Sequence, residues 1–267
     1  MSENTRNPID AYAPKEIAAR VETAGVAKAH LNVLQTIALG FMAGAFIAFG
    51  AMYYTVVVTD SGLGFGAERF LGGIAFSLGL VLVVIAGAEL FTGNNLIVMA
   101  WAEKKVTSRQ LLRNWGLVYL ANFAGASASA VVVHYSGVLQ LNGGEVAKTA
   151  VAIASAKADL PFLEAVLRGV LCNALVCLAV WLCMAAHSVS GKILAILFPI
   201  SAFVALGFEH SVANMYFLPL GMLAGAPITL ADMVGNLLPV TLGNIIGGSG
   251  FVALVYWAIY LRPNPPG

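Results

Sequence analysis

The chain alternates long apolar runs with short polar interruptions. Six runs, at about 31–58, 70–101, 111–135, 162–186, 193–225 and 233–261, are each long enough to cross a membrane, whose hydrocarbon core of about 30 Å takes roughly 20 helical residues. The pattern predicts an all-α membrane protein of six transmembrane helices. Ahead of them, PKEIAARVETAGVAKA (14–29) spaces apolar residues among charges at helical intervals, as in an amphipathic helix lying at a membrane surface. The expected organisation is a cytoplasmic N-terminal segment (1–30), one six-helix transmembrane domain (31–262) and a short cytoplasmic tail (263–267).

Two runs are not uniform. In the fifth, 193–206 and 215–225 are each shorter than a full span and enclose the polar GFEHSVAN (207–214), which predicts a helix broken within the membrane. In the second, 70–88 nearly spans before ELFTGNN (89–95), and its break is inferred partly from symmetry. The chain resembles itself: sliding 106–126 onto 228–248 superposes Thr107 on Thr229, Asn114 on Asn236, Asn122 on Asn244 and Gly125 on Gly247, and a shift shorter by two residues pairs Glu89 with Glu209 and Asn94 with Asn214. Three helices per repeat is an odd number, so the second repeat enters the membrane from the opposite face. The expected layout is two inverted three-helix repeats, with helices two and five interrupted and substrate passing along their interface.

Composition removes other classes. Of 267 residues, 60% are hydrophobic and 10% charged, against roughly 25% charged in a soluble domain, and mean hydropathy is +0.86. A net charge of +1 gives no polybasic surface for nucleic acid. Cys172, Cys177 and Cys183 share one apolar run, which suits packing rather than a disulfide framework or metal site. No cleavable leader pattern precedes the first span. Arg6, Lys15, Arg20, Lys28, Lys104, Lys105, Arg109, Arg113, Lys192 and Arg262 fall on the side of the termini, and Arg69, Lys148, Lys157 and Arg168 on the other. The positive-inside bias makes the termini cytoplasmic.

The interruptions carry the candidate chemistry. Glu209 and His210 are adjacent ionisable residues within an apolar stretch, where each costs about 2 kcal/mol or more unless paired or facing a watered cavity. His210 is suited to hold or hand over a proton; the alternative is an imidazole that caps broken backbone. Thr92, Asn94 and Asn95 offer hydroxyl and amide groups to free backbone or to a permeant anion. Glu89 and Glu209 are expected to hold the breaks in place by accepting backbone N–H bonds. Phe76, Leu80, Leu90, Phe91, Phe203 and Phe208 lie on or beside the broken helices, and Lys157 in the external loop before helix four is either an attractor of anions or a solvated lysine. Gly40/Gly44, Gly221/Gly225 and Gly243/Gly247 have the spacing of close helix crossings.

GAELFTGNN (87–95), RGVLCNALVCLAVWL (168–182) and GFEHSVANMYFLP (207–219) resemble, in this order, the signature regions of the formate/nitrite transporter family. The resemblance implies an aquaporin-like fold, a homopentamer with a pore in each protomer, and residence in a bacterial inner membrane among lipid. It also implies site residues. His210 resembles the central pore histidine, Thr92 its partner, and Asn214 follows in the same string. Phe76, Leu80, Leu90, Phe91, Val176, Phe203 and Phe208 fall where the family has two hydrophobic constrictions, and Lys157 resembles its vestibule lysine. Glu89, Glu209 and Asn94 are then structural at the breaks. The implied partners are protons and a small anion, formate ahead of nitrite because of the long amphipathic N-terminal segment and Phe208; hydrosulfide and short monocarboxylates are handled by relatives.

The expected mechanism is capture of a monovalent anion, its neutralisation by protonation near His210 and Thr92, and passage of the neutral acid across apolar rings, since a bare anion in a dry slit is strongly disfavoured. His210 either donates that proton or polarises water. No catalytic constellation, cofactor or metal is expected. Two rival classes are an aquaporin-type neutral-solute channel, which should carry Asn-Pro-Ala at both half-helices, and a membrane subunit of a redox enzyme, which needs axial ligands. The breaks read TGNN and HSVANM, and His30, His134, His187 and His210 lie in four separate segments.

Overall fold

The computed structural model describes residues 11–262; the start of the N-terminal segment and the expected tail 263–267 lie outside the described residues. Those described are helical with no strand. In chain order the helices are α1 (Pro14–Ala29), α2 (Val33–Val58), α3 (Phe65–Leu82), α4 (Val98–Ala102), α5 (Ser108–Tyr135), α6 (Glu145–Ala158), α7 (Phe162–Ala185), α8 (Val189–Ala205), α9 (Ser211–Leu223), α10 (Leu230–Ile245) and α11 (Val255–Tyr260). A π-helical turn, Val83–Gly87, extends α3, a 3-10 turn, Gly93–Ile97, leads into α4, and a π-helical stretch, Ile246–Leu254, joins α10 to α11.

Five helical stretches among the described residues are long and apolar enough to cross a membrane: Val33–Val58, Phe65–Gly87, Ser108–Tyr135, Phe162–Ala185 and Leu230–Tyr260. The run expected as the fifth helix is divided into the shorter α8 and α9. This is a multi-pass membrane protein. Leu34, Leu120, Phe198, Leu238 and Phe251 stand exposed on its outer surface, where a soluble chain would place polar groups.

Helix ends follow local chemistry. Thr107 and Thr229 each close a capping box, with Gln110 and Asp232 respectively, and Asn32 and Ser188 cap α2 and α8. Both breaks open on a glycine in the left-handed region, Gly87 at φ 86° and Gly207 at φ 72°, a conformation that other residues rarely hold. The following amides turn back in the same way, Ala88 N–H to the Val83 carbonyl and Phe208 N–H to the Phe203 carbonyl, each at 3.0 Å. In the fifth run the break is shorter than expected. His210 caps α9 by accepting the Ala213 N–H, so Ser211 to Asn214 are already helical.

Close crossings tie the bundle. Gly40, Gly44 and Gly125 let α2 and α5 meet backbone to backbone, and Gly169, Gly243 and Gly247 do the same for α7 and α10; a Cβ at Gly44, Gly125, Gly243 or Gly247 would strike a carbonyl of the facing helix. Gly221 meets Ala154 of α6, whereas Gly225 has no neighbour within 4 Å and ends α9 at φ 97°.

Two segments differ from expectation. The loop before helix four contains α6, an Ala-rich helix too polar to read as a span, which buries Val146, Ala150 and Ala154 against its neighbours. The amphipathic α1 turns its apolar face toward protein rather than lipid: Ile17, Ala18, Val21 and Ala29 are buried in one cluster with Ile97, Met99 and Ala100 of the second run, and Gly25 sits on Ile97. Its buried Glu22 pairs with Lys105 at 2.6 Å.

Candidate functional site

Three spaces lie in series along the interrupted helices. A cavity of about 200 Å³ is lined by Arg69, Lys157, Arg168, Phe208, Glu209 and others, and ends on Phe76, Phe203 and His210. A chamber of about 10 Å³ follows, walled by Ile47, Phe76, Leu80, Leu90, Val176, Ile200, Phe203 and His210. Beyond Leu80 and Leu90 opens a second cavity of about 430 Å³, lined by Lys28, Val83, Glu89, Asn94, Val180 and others. The chamber has the room of about one water molecule. Its wall is apolar apart from one imidazole.

That imidazole is tightly specified. His210 is 3% exposed, its ring stacks on Phe203 at 6.0 Å between centroids, and Phe203 meets Phe76 edge-on at 5.6 Å. Nδ1 accepts the Ala213 backbone N–H at 3.1 Å, so in the neutral ring the hydrogen resides on Nε2. Nε2 lies 2.9 Å from the Thr92 Oγ1 and therefore donates to it, which leaves the Thr92 hydroxyl hydrogen for another acceptor. Thr92 precedes the second half-helix and His210 caps α9, so two helix N-termini, each with partial positive charge, meet at this hydrogen bond.

Each break is held by the same polar network. Glu89 takes Lys28 Nζ at 2.5 Å and Asn94 Nδ2 at 2.7 Å, and Glu209 takes Lys157 Nζ at 2.9 Å and Asn214 Nδ2 at 2.6 Å. Asn94 and Asn214 then donate to Asn114 and Asn236, which donate to the backbone carbonyls of Lys28 and Lys157. The carboxylates hold cations and amides rather than the backbone N–H groups expected for them. A buried negative charge is better balanced by an ammonium than by neutral amides, and the free backbone groups fall to Asn122 and Asn244.

The family profile "Formate/nitrite transporter" matches residues 15–258. The chain belongs to the formate/nitrite transporter family. It is 40% identical over 278 aligned positions to "Formate channel FocA" of Escherichia coli (strain K12), covering 97% of this chain and 98% of that one. Among solved structures it is similar to "Pentameric formate channel with formate bound", with TM-score 0.81 and 37% identity over 86% of this chain and 98% of that one. It is similar also to "FNT family ion channel", with TM-score 0.84 and 31% identity over 91% and 98%.

Against that family background the predicted site residues separate into groups. His210, Phe76, Leu80, Leu90, Val176 and Phe203 wall the chamber. Lys157, expected in a loop, stands in the last turn of α6 and lines the first cavity with Phe208 and Glu209. Glu89 and Asn94 line the second. Thr92 is fully buried and joins the wall only through His210. Phe91 packs edge-on against Trp115 and Tyr119, away from the chamber, and Asn214 is fully buried behind Glu209. Lys28 was missed as a site residue. The signal for it was the basic residue at the end of α1, but its equivalence to Lys157 lies outside the stretch where the repeat is legible.

Proposed function

We propose that this protein conducts a small monovalent anion, formate first, through a pore in each protomer of a homopentamer in a bacterial inner membrane, with both termini cytoplasmic. The observation that carries the reading is the apolar chamber closed by Phe76 and Phe203 on one side and Leu80 and Leu90 on the other, with the Thr92–His210 hydrogen bond at its wall. The family relatives named as formate channels, and the formate bound in the solved neighbour, favour formate over nitrite.

The physics favours a neutral traveller. Desolvating a carboxylate among phenylalanine and leucine side chains costs several kcal/mol, whereas formic acid carries no net charge. Protons therefore move with the anion. His210 is better placed to hold the solute than to protonate it: Nδ1 is occupied by the Ala213 N–H, so release of the Nε2 hydrogen would leave an imidazolate with no ready return path. The proton is drawn from the outer solution and relayed by water in the outer cavity, so no hydroxide is left behind, and the converging helix N-termini with the Thr92 hydroxyl orient the solute at the constriction.

The test is uptake of labelled formate and of nitrite into proteoliposomes at two external pH values, for the protein as it stands and for His210→Phe. Saturable formate flux that rises as pH falls and is lost in the variant supports the reading. Preference for nitrite reassigns the substrate, and flux with no pH dependence removes the proton from the mechanism.

A further inference from the structure

Lys157, Arg69 and Arg168 all line the outer cavity, but only one of them is neutralised inside it. Lys157 Nζ lies 2.9 Å and 3.0 Å from the two oxygens of Glu209, and the two side chains are 15% and 5% exposed. That pair is closed and nearly dry, so it offers an incoming anion little net charge.

The two arginines converge on the helix break from different helices, Arg69 from α3 and Arg168 from α7. A Cβ placed on Gly207 would lie 2.9 Å from Arg69 Nη2 and 3.9 Å from Arg168 Nη1. Glycine is required there by its φ of 72°, and its missing side chain leaves both guanidinium groups open toward the cavity. Arg69 is anchored through Nε to the Ala205 carbonyl at 3.0 Å. Arg168 reaches the Gly207 carbonyl at 3.5 Å and pairs with Glu164 at 3.0 Å, the latter an exposed pair that solvent screens. A guanidinium has five N–H donors in a planar fork, so each arginine retains donors after these bonds.

We infer that Arg69 and Arg168, flanking Gly207, form an oxyanion-capture site at the outer mouth, which takes a planar anion with two oxygens on one atom, a carboxylate or nitrite, on paired N–H donors. The inference rests on the transport reading above and adds a specificity step to it. The site concentrates the anion and orients it above Phe76 and Phe203, while the Lys157–Glu209 pair serves to fix the break. Guanidinium forks match a two-oxygen anion better than a spherical one such as chloride, so the site also selects by shape.

The inference is tested on the purified full-length protein with two readouts, saturation transfer from protein to the formyl proton of formate in detergent, and formate uptake in proteoliposomes. In Arg69→Gln/Arg168→Gln, half-saturation for uptake is expected to rise about tenfold and its salt dependence to flatten, as for loss of a steering field, with maximal flux retained and saturation transfer reduced. Arg168→Lys is expected to recover the salt dependence but only part of the affinity. Arg168→Gln alone carries the test if the double variant fails to assemble, because Arg168 bonds to an exposed carboxylate and makes one long carbonyl contact. Unchanged saturation transfer, half-saturation and salt dependence in these variants overturn the inference even if His210→Phe abolishes flux. If the unaltered protein transports no anion, the transport reading falls, and loss of saturation transfer in the double variant still decides for the site.

Discussion

Asn122 and Asn244 are structural counterparts at the two helix breaks. Asn122 donates to the Gly40 carbonyl at 2.7 Å and the Glu89 carbonyl at 2.9 Å and accepts the Phe91 N–H at 2.9 Å. Asn244 donates to the carbonyls of Gly169 and Glu209 and accepts the Ser211 N–H, each at 2.9 Å. Each asparagine thus satisfies two backbone groups at its break that a continuous helix would have bonded internally, and ties them to a carbonyl of the neighbouring helix.

Replacing either asparagine by alanine orphans two buried groups at the break, the Glu89 carbonyl and Phe91 N–H or the Glu209 carbonyl and Ser211 N–H, while the Gly40 and Gly169 carbonyls keep their helical partners. With about 1–3 kcal/mol for each group left unsatisfied, Asn122→Ala and Asn244→Ala are expected to lower the thermal midpoint strongly in detergent, whereas Arg109→Ala, at an exposed position in the first turn of α5, is expected to change it little. Equal midpoints for all three variants would contradict the bonding scheme.

The two ion pairs should differ in strength. Lys157–Glu209 is 15% and 5% exposed, while Lys28–Glu89 is 32% and 6% exposed. Removing one partner of a buried pair costs about 3–5 kcal/mol, so Lys157→Met is expected to destabilise by roughly that amount. Lys28→Met should cost less, because water reaches its stem. Denaturant unfolding of the two variants side by side measures the difference.

His210 combines a cap and a pore group, and these separate by substitution. Asparagine is a good N-cap and phenylalanine is not, a difference of about 1 kcal/mol. His210→Asn is therefore expected to keep the stability of α9 while losing the Thr92 bond, and His210→Phe to lose both. Thr92→Val removes the hydroxyl and keeps the shape; it is expected to cut formate flux severalfold and, because the buried Nε2–H of His210 loses its acceptor, to lower the thermal midpoint as well. If Thr92→Val transports normally, the hydroxyl does not contact the solute.

The docking of α1 should be indifferent to pH near neutrality as far as Lys105 is concerned. Its hydrogen bond to Glu22 raises its pKa above the ordinary 10.5. A raised folded-state pKa adds stability below the unfolded value, which is lost as pH rises through the folded one. The contribution therefore persists at pH 6–9 and disappears only above about 10.5, and it is small because Lys105 is 55% exposed. Hydrogen exchange across 14–29 checks this: Lys105→Gln should loosen α1 at pH 7, and raising pH should loosen only the unaltered protein.

Several features were legible without coordinates because each depends on local pattern. The apolar runs give the spans, the polar GFEHSVAN marks one break, and the superposition of Asn114 on Asn236 and Asn122 on Asn244 exposes the repeat. All four of those asparagines bond at the breaks. Helix α6 is not legible, since an Ala-rich, partly charged stretch declares itself only through the surface it packs on, and for the same reason the pattern of α1 alone reads as that of a helix lying on lipid.

Sequence by itself determined the membrane class, the broken helices and the residue types at the breaks, because the bilayer penalises every unpaired polar group and so leaves few places for one. Only the tertiary structure decided which polar groups pair. It sends Glu89 and Glu209 to lysines from α1 and α6, moves Phe91 and Asn214 away from the chamber, and brings Arg69 and Arg168 to one glycine. Those partners come from separate helices, and the distances between helices are set by packing rather than by spacing along the chain.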